Sequence, residues 1–327
     1  MSNTKYIMKR NLSLAIAIML LSGHALSSYK ITMGTEKINI PEATTIPFNQ
    51  HTFSTCEQTG RFGPTLSQCQ QSYVNSDIKL EDGQQYSVSN GIQTWTVPET
   101  STYNIKAYGA QGGSTSYSGG HSGGRGAYIE GDFNLNKGQK IYILVGQRGE
   151  SAEYTAGGGG GTFVVTSPNQ TTSDILVVAG GGGGGGNSGG NGYPGQTSTS
   201  GRVGHVGKPA GINGYGSEYD GNGGWGQSGA GFRGNGNGYE PADYADGAVA
   251  KSYLNGGYGA EKPSRTTTTA GGFGGGGSGA ANGGGGAGGY SGGGSGGGGG
   301  GSLNNGTNPN NASNSNSGEG KVIITKL

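Results

Sequence analysis

Few residues of this sequence stand at the spacings that catalytic sites use. The two Gly-Lys pairs, Gly207-Lys208 and Gly320-Lys321, lack the Ser or Thr that follows the lysine in a phosphate-binding loop. Gly-x-Gly-x-x-Gly spacings arise by composition in long glycine runs, and no alternation of strands and helices surrounds them here. No serine, cysteine or carboxylate occupies a recognisable nucleophile setting. The sequence therefore predicts no enzymatic activity, no catalytic residues and no cofactor.

Binding chemistry is better represented, between residues 193 and 258. Aromatic rings on a glycine-rich chain offer flat surfaces on which a sugar or a protein partner can stack, and nearby carboxylates would add an acidic edge. The alternative is that these rings pack over the glycine runs and seal them. The residues assigned to this candidate binding surface are Trp225, Tyr215, Tyr219, Phe232, Tyr239, Glu240 and Asp243.

Charge and composition narrow the class of protein. The chain has 327 residues with 20 Lys and Arg against 19 Asp and Glu, so it lacks the positive charge that nucleic-acid binding needs. Glycine accounts for 78 residues and hydrophobic residues for only 30%, too few for two ordinary cores. One β core with a glycine-rich annex fits this composition. The expected partner is an unknown protein or glycan.

The glycine runs at residues 157–161, 180–186 and 271–301 have two interpretations. Composition alone suggests flexible linkers, because glycine loses the most backbone freedom on ordering. Alternatively, the runs form extended threefold helices of the polyglycine-II type, packed backbone to backbone and bonded through their amides. Short apolar segments adjoin two of the runs, which favours order. We therefore expect a glycine-rich bundle over residues 157–161 and 180–301, with the aromatic insertion at 193–258.

The apolar pattern outside the runs predicts an antiparallel β-sandwich of jelly-roll type. Tyr103, Ile105 and Ala107 alternate with polar residues, as in a half-buried strand, whereas residues 141–145 are apolar on both faces and predict a central strand. Gly131-Asp132 interrupts another strand and suggests a bulge. The sandwich is expected over residues 46–180 plus 319–327, and the Asn/Ser-rich residues 302–318 are expected to form a flexible loop.

The N-terminus predicts export. Lys5, Lys9 and Arg10 precede an apolar stretch at residues 12–21 that is too short to span a bilayer. We interpret residues 1–27 as a signal peptide and 28–45 as a loose leader; a short membrane anchor or a buried strand is the alternative. The mature chain is then expected outside the cell or at its surface, without membrane insertion.

Cys56 and Cys69 are the only cysteines, and both follow the expected signal. In an oxidising compartment they should pair and stabilise the fold by about 3 kcal/mol. Two free thiols are the alternative. A metal site is disfavoured, because adding His51 gives only three ligands at no recognised zinc spacing.

Several motifs resemble the ligand-binding ectodomain of the anaplastic lymphoma kinase and leukocyte tyrosine kinase receptor family. The similarity runs in order over roughly residues 46 to 327. It is carried by Phe53-Ser54-Thr55-Cys56, Gly63-Pro64-Thr65, Gln68-Cys69, Tyr73, Gly91-Ile92-Gln93-Thr94-Trp95-Thr96-Val97-Pro98, Tyr108-Gly109-Ala110-Gln111-Gly112-Gly113, Phe133-Asn134-Leu135, Tyr142-Ile143-Leu144-Val145-Gly146-Gln147, Gly271-Gly272-Phe273, Gly288-Gly289-Tyr290 and the closing strand.

The resemblance implies a tumour-necrosis-factor-like sandwich with inserted polyglycine helices, a Cys56–Cys69 disulfide and a part in binding a protein ligand. This sequence departs from the family in lacking an epidermal-growth-factor-like module, a transmembrane helix, a kinase and a cysteine among its late glycines. Ligand identity therefore does not carry over. We expect a secreted, non-catalytic recognition or adhesion module; a structural surface or matrix protein that self-associates is the alternative.

Overall fold

The computed structural model describes residues 48–327 except 77, 79–84, 168–173, 206–208, 218–225, 239–247 and 265–266, together with the backbone of two short strands, β1 (Thr32–Met33) and β2 (Glu36–Lys37). These two strands pair in antiparallel fashion within the expected leader. The expected signal peptide, residues 1–27, lies outside the described residues.

Eleven of the described strands form two antiparallel sheets, which confirms the all-β prediction. The six-stranded sheet has the order β11-β10-β9-β8-β5-β4, and the five-stranded sheet has the order β12-β7-β6-β13-β3. The strands are β3 (Gln50–Phe53), β4 (Tyr86–Ser89), β5 (Ile92–Thr96), β6 (Ser101–Tyr108), β7 (Gly126–Leu135), β8 (Lys140–Leu144), β9 (Thr162–Val165), β10 (Ile175–Ala179), β11 (Leu303–Asn304), β12 (Thr307–Asn316) and β13 (Lys321–Lys326).

The core between the sheets follows from the period of two in the sequence. Tyr103, Ile105 and Ala107 of β6 all point inward, as their alternation predicts, and they pack with Trp95 of β5. Strand β8 lies between β5 and β9, and its residues belong to two separate hydrophobic clusters. Residues 141–145 were expected to form a central strand, and this placement confirms it. The six-stranded sheet is therefore buried on both faces.

Two expectations for the sandwich differ from the structure, the first fully and the second in part. Residues 302–318 contain β11 and β12 rather than a flexible loop, because the backbone of β12 pairs with β7 and Asn310 donates a side-chain hydrogen bond to Glu130 (3.0 Å). The expected bulge at Gly131-Asp132 does not interrupt the pairing of β6 with β7. The register between β7 and β12 does shift at this point, between the pairs Thr307–Asp132 and Asn310–Glu130. A Cβ atom at Gly131 would lie 2.8 Å from Asn304 Oδ1 and 3.0 Å from the Gly306 Cα, so the turn between β11 and β12 packs closely on this glycine.

The disulfide between Cys56 and Cys69 is present and closes a loop against helix α1 (Leu66–Ser72). Thr65 caps this helix. The backbone N–H of Gln68 donates to Thr65 Oγ1 (3.3 Å), and the backbone N–H of Thr65 donates to Gln68 Oε1 (2.8 Å). The helix therefore begins directly after its capping residue, Thr65.

A buried hydrogen-bond network fixes the disulfide loop to the sandwich. Gln93 Oε1 accepts from the phenols of Tyr73 and Tyr86 (2.9 and 2.8 Å), and Gln93 Nε2 donates to the Ser54 carbonyl (2.8 Å). Burial raises the pKa of Tyr73, so its phenol stays a neutral donor. Every polar group of Gln93 in this network has a partner, which makes the loop a fixed part of the fold.

Candidate functional site

The glycine runs form a bonded unit in which successive amides point to different neighbouring segments. In the first run the pattern repeats every three residues. Gly157 and Gly160 donate to Glu150 and Gln147, Gly158 and Gly161 donate to Gly277 and Gly274, and Gly159 donates to Gly182, at 2.9 Å in each case. Residues 157–161 are all buried. We call these packed segments, within residues 110–125, 147–161 and 180–301, the glycine unit.

The second run has the same three-residue period. Its amides alternate between a segment near residue 288, a segment near residue 110 and a segment near residue 193. Gly181 and Gly184 donate to Gly288 and Gly285, Gly182 and Gly185 donate to Ala110 and Gly113, and Gly183 and Gly186 donate to Tyr193 and Gly190. These donors are satisfied by backbone carbonyls, so the glycine unit provides an ordered scaffold for side chains at its surface.

Of the residues assigned to the candidate binding surface, the structure places Tyr215 in the open. Tyr215 is 54% exposed and ends a tight turn in which its amide donates to the Ile212 carbonyl (3.0 Å). Asn213 and Gly214 both have positive φ in this turn. The Gly214 carbonyl accepts from the Arg233 amide (2.7 Å), which ties the turn to the glycine unit. Tyr215 is thus an exposed aromatic side chain on a bonded turn.

The assignment of Phe232 to the surface is wrong, because its ring is fully buried. It stacks on Tyr253, with ring centroids 5.2 Å apart and an interplanar angle of 12°. Phe163 of β9 packs beside the same pair. For Phe232 the alternative therefore holds: the ring helps to seal the glycine unit against the six-stranded sheet. Five assigned residues, Trp225, Tyr219, Tyr239, Glu240 and Asp243, lie outside the described residues.

Sequence reasoning missed an open groove beside the disulfide loop. The groove has a volume of about 350 Å³, and its lining comes from the loop, from the β4–β5 hairpin and from the glycine unit. Phe62 is 51% exposed at its edge and meets Tyr258 in a T-shaped contact, with centroids 5.5 Å apart. Apolar residues at irregular spacing carry no periodic signal. A clue was available in Phe62, which stands beside Gly63-Pro64 inside the loop. The lining includes Phe62, Pro64, Leu66, Val88, Gly91 and Tyr258.

Phe273 locks the groove to the glycine unit. A Cβ atom at Gly63 would lie 2.5 Å from the Gly91 Cα and 2.6 Å from the Phe273 ring, so only glycine fits at this crossing. The Phe273 amide donates to the Gly60 carbonyl (2.7 Å). An ion pair between Arg61 and Glu261 (3.1 Å) adds a second tie. The groove is therefore held by three parts of the fold at once.

Other kinds of site find no support in the part of the chain that the structure describes. There, no group of three or more His, Cys, Asp or Glu side chains is placed to hold a metal ion. Over the same residues, no helix is long and apolar enough to cross a membrane.

Comparison with known proteins relates the chain to a receptor. No protein-family model matches the chain. Leukocyte tyrosine kinase receptor of Mus musculus is 41% identical over 101 residues, which are 31% of this chain and 11% of the receptor. This similarity confirms the expected relation to that receptor at the level of a shared segment. Together with the disulfide it fits an extracellular location.

Proposed function

We propose that this chain is a non-catalytic extracellular recognition or adhesion module, similar in kind to the ligand-binding region of a receptor tyrosine kinase. One observation carries the proposal: a buried, hydrogen-bonded glycine unit presents the aromatic side chain of Tyr215 on a tight surface turn. Preorganised aromatic side chains bind with little loss of conformational entropy. The similarity to the mouse receptor supports an extracellular, receptor-like role.

The finer architecture belongs to the same proposal. The sandwich is a tumour-necrosis-factor-like jelly roll, and the glycine unit is a bundle of polyglycine-II-type helices inserted into it. Support for the bundle comes from the donor pattern, because a threefold helix directs every third amide to the same neighbour. Gly182 and Gly185 give such a pair against a parallel segment, and Gly181 and Gly184 give one against an antiparallel segment.

The binding surface is proposed to centre on Tyr215 and to include Trp225, Tyr219, Tyr239, Glu240 and Asp243. In the sequence, Tyr219 and Trp225 follow Ser217, and Tyr239, Glu240 and Asp243 follow Gly238. The two groups therefore stand on either side of the bonded residues 227–237 in the chain. The ligand is a protein or a glycan. Rings supply the contact area, and the carboxylates select against anionic ligands.

Arrays of immobilised oligosaccharides and of purified extracellular protein domains test this function. We expect the wild-type chain to bind at least one probe, and Tyr215→Ala and Trp225→Ala to weaken that binding by about tenfold. Val74→Ala is the matched control, since Val74 is an apolar residue that is 74% exposed in the turn after α1. No binding by the wild type, combined with a concentration-dependent mass in sedimentation equilibrium, would favour the self-associating structural role instead.

A further inference from the structure

Two tyrosines meet on neighbouring loops of the glycine unit. Tyr117 lies in a 3-10 turn (Tyr117–Gly119), and Tyr154 lies in the loop that precedes the first glycine run. Their ring centroids are 4.6 Å apart with an interplanar angle of 38°. Tyr117 is 43% exposed, so part of its ring faces solvent. An aromatic ring with this exposure leaves surface for a ligand.

The glycine unit holds both loops in place. The amides of Ser116 and Tyr117 donate to the Glu153 carbonyl (3.2 and 2.9 Å), and Thr115 forms a parallel bridge with Ala152. The Thr115 side chain accepts from the His121 amide (2.8 Å). The segments that lead into the loops are bonded in turn to the glycine runs, for example through Gly113 to Gly157 (2.9 Å). The backbone of the two loops is therefore held in place by hydrogen bonds before any ligand arrives.

A carboxylate residue, Glu153, lies next to the ring pair in the chain. Glu153 is exposed and precedes Tyr154 directly, and its backbone carbonyl accepts from the amides of Ser116 and Tyr117 in the other loop. No Lys or Arg among the described residues forms an ion pair with Glu153. The lone pairs of this exposed carboxylate can accept hydrogen bonds from a ligand.

We propose that Tyr117, Glu153 and Tyr154 form a binding site for a neutral pyranose residue of a glycan. The exposed ring of Tyr117 stacks against the C–H face of the sugar, and the Glu153 carboxylate accepts hydrogen bonds from its hydroxyl groups. The negative charge of Glu153 disfavours uronic and sialic acids. The inference rests on the proposed recognition function and assigns it a ligand class and a second surface, away from Tyr215.

The surroundings of the ring pair favour a sugar over a protein. The 3-10 turn continues as Ser118-Gly119-Gly120, which offers no apolar side chain for the desolvated centre that protein interfaces need. By contrast, the groove at Phe62 and Leu66 has that apolar character. A flat ring beside a hydrogen-bond acceptor matches a pyranose, which has one apolar face and a rim of hydroxyl groups.

Binding of the purified chain to an array of neutral and acidic oligosaccharides tests the inference. We expect a neutral oligosaccharide to bind, with Tyr117→Ala weakening it by about fivefold to tenfold, because a stacked ring contributes on that scale. Tyr117→Phe keeps the ring and should bind within about twofold of the wild type. Glu153→Gln should weaken binding of the neutral oligosaccharide and should also reduce the discrimination against acidic oligosaccharides.

The variants separate this inference from the function on which it rests. Glycan binding that is lost in Tyr215→Ala but unchanged in Tyr117→Ala overturns the Tyr117 site and leaves the recognition function standing. Preference for acidic oligosaccharides, or binding only to protein domains, also overturns it. If Tyr117→Ala lowers the melting temperature, Tyr117→Phe and Glu153→Gln decide the result, since both keep the ring pair that joins the loops.

Discussion

Replacing Gly181 by alanine should destabilise the protein by about 2–4 kcal/mol. A Cβ atom there would lie 2.5 Å from the Gly159 carbonyl oxygen and 2.7 Å from that of Gly160, and both are backbone atoms with no freedom to rotate away. Normal contact requires a shift of several tenths of an ångström. The two carbonyls accept from Gly288 and Ala110 at 3.0 Å, so the shift strains two buried hydrogen bonds. A buried hydrogen bond left unpaired lowers the free energy of unfolding by about 1–3 kcal/mol, and overpacking lowers it by a similar amount.

The assay is guanidinium unfolding of the full chain, with amide hydrogen exchange over residues 157–186 as a second measurement. The matched control is Gly189→Ala, where the nearest atom to the added Cβ would be 3.5 Å away, an ordinary contact. The control should change the free energy of unfolding by less than about 1 kcal/mol. Two results would refute the packed unit and show that the runs are linkers. One is equal stability of Gly181→Ala and the control, and the other is exchange of the wild-type glycine amides at random-coil rates.

Three further predictions concern the sandwich. Replacing both Cys56 and Cys69 by alanine should lower the free energy of unfolding by about 3 kcal/mol, and reductant should have no further effect on that variant. Burial raises the pKa of Glu319, whose carboxylate accepts from the Arg148 amide (2.7 Å). Its protonated form is therefore favoured in the folded state, and the stability it contributes at acid pH is lost as pH rises through the folded pKa. Glu319→Gln should then gain stability relative to the wild type between pH 4 and 7, and an unchanged difference across that range would contradict the assignment. Pro309 interrupts the edge strand β12, so Pro309→Val should promote concentration-dependent association in sedimentation experiments.

The parts of the fold that sequence reasoning anticipated are those with local signals. Strand β6 follows from the alternation of Tyr103, Ile105 and Ala107, and the placement of β8 follows from apolar residues on both faces. Strand β12 was missed because Asn and Ser have low β propensity. Its pairing is instead supported by side chains of β7, as in the bond from Asn310 to Glu130.

The candidate sites were harder to foresee because they join residues that are distant in sequence. Tyr117 and Tyr154 meet only because the bridge between Thr115 and Ala152 aligns their loops. Phe232 was assigned to the surface because an aromatic ring among glycines has the same local pattern whether it seals a scaffold or projects from it. Only the packing of Phe163 and Tyr253 against it decides between the two.

This burial of aromatic rings explains why the glycine unit is attached to a sandwich. Glycine loses more backbone entropy on folding than other residues, and each net hydrogen bond returns only about 1 kcal/mol. Hydrogen bonding alone therefore leaves such a unit near marginal stability. The additional driving force comes from Phe232, Tyr253, Phe273 and Tyr290, which pack in one cluster with the outer face of the six-stranded sheet. Burial of each such ring contributes roughly 1.5–3 kcal/mol. The sandwich thus stabilises the glycine unit through its second apolar face, and a glycine unit separated from that face should not remain folded.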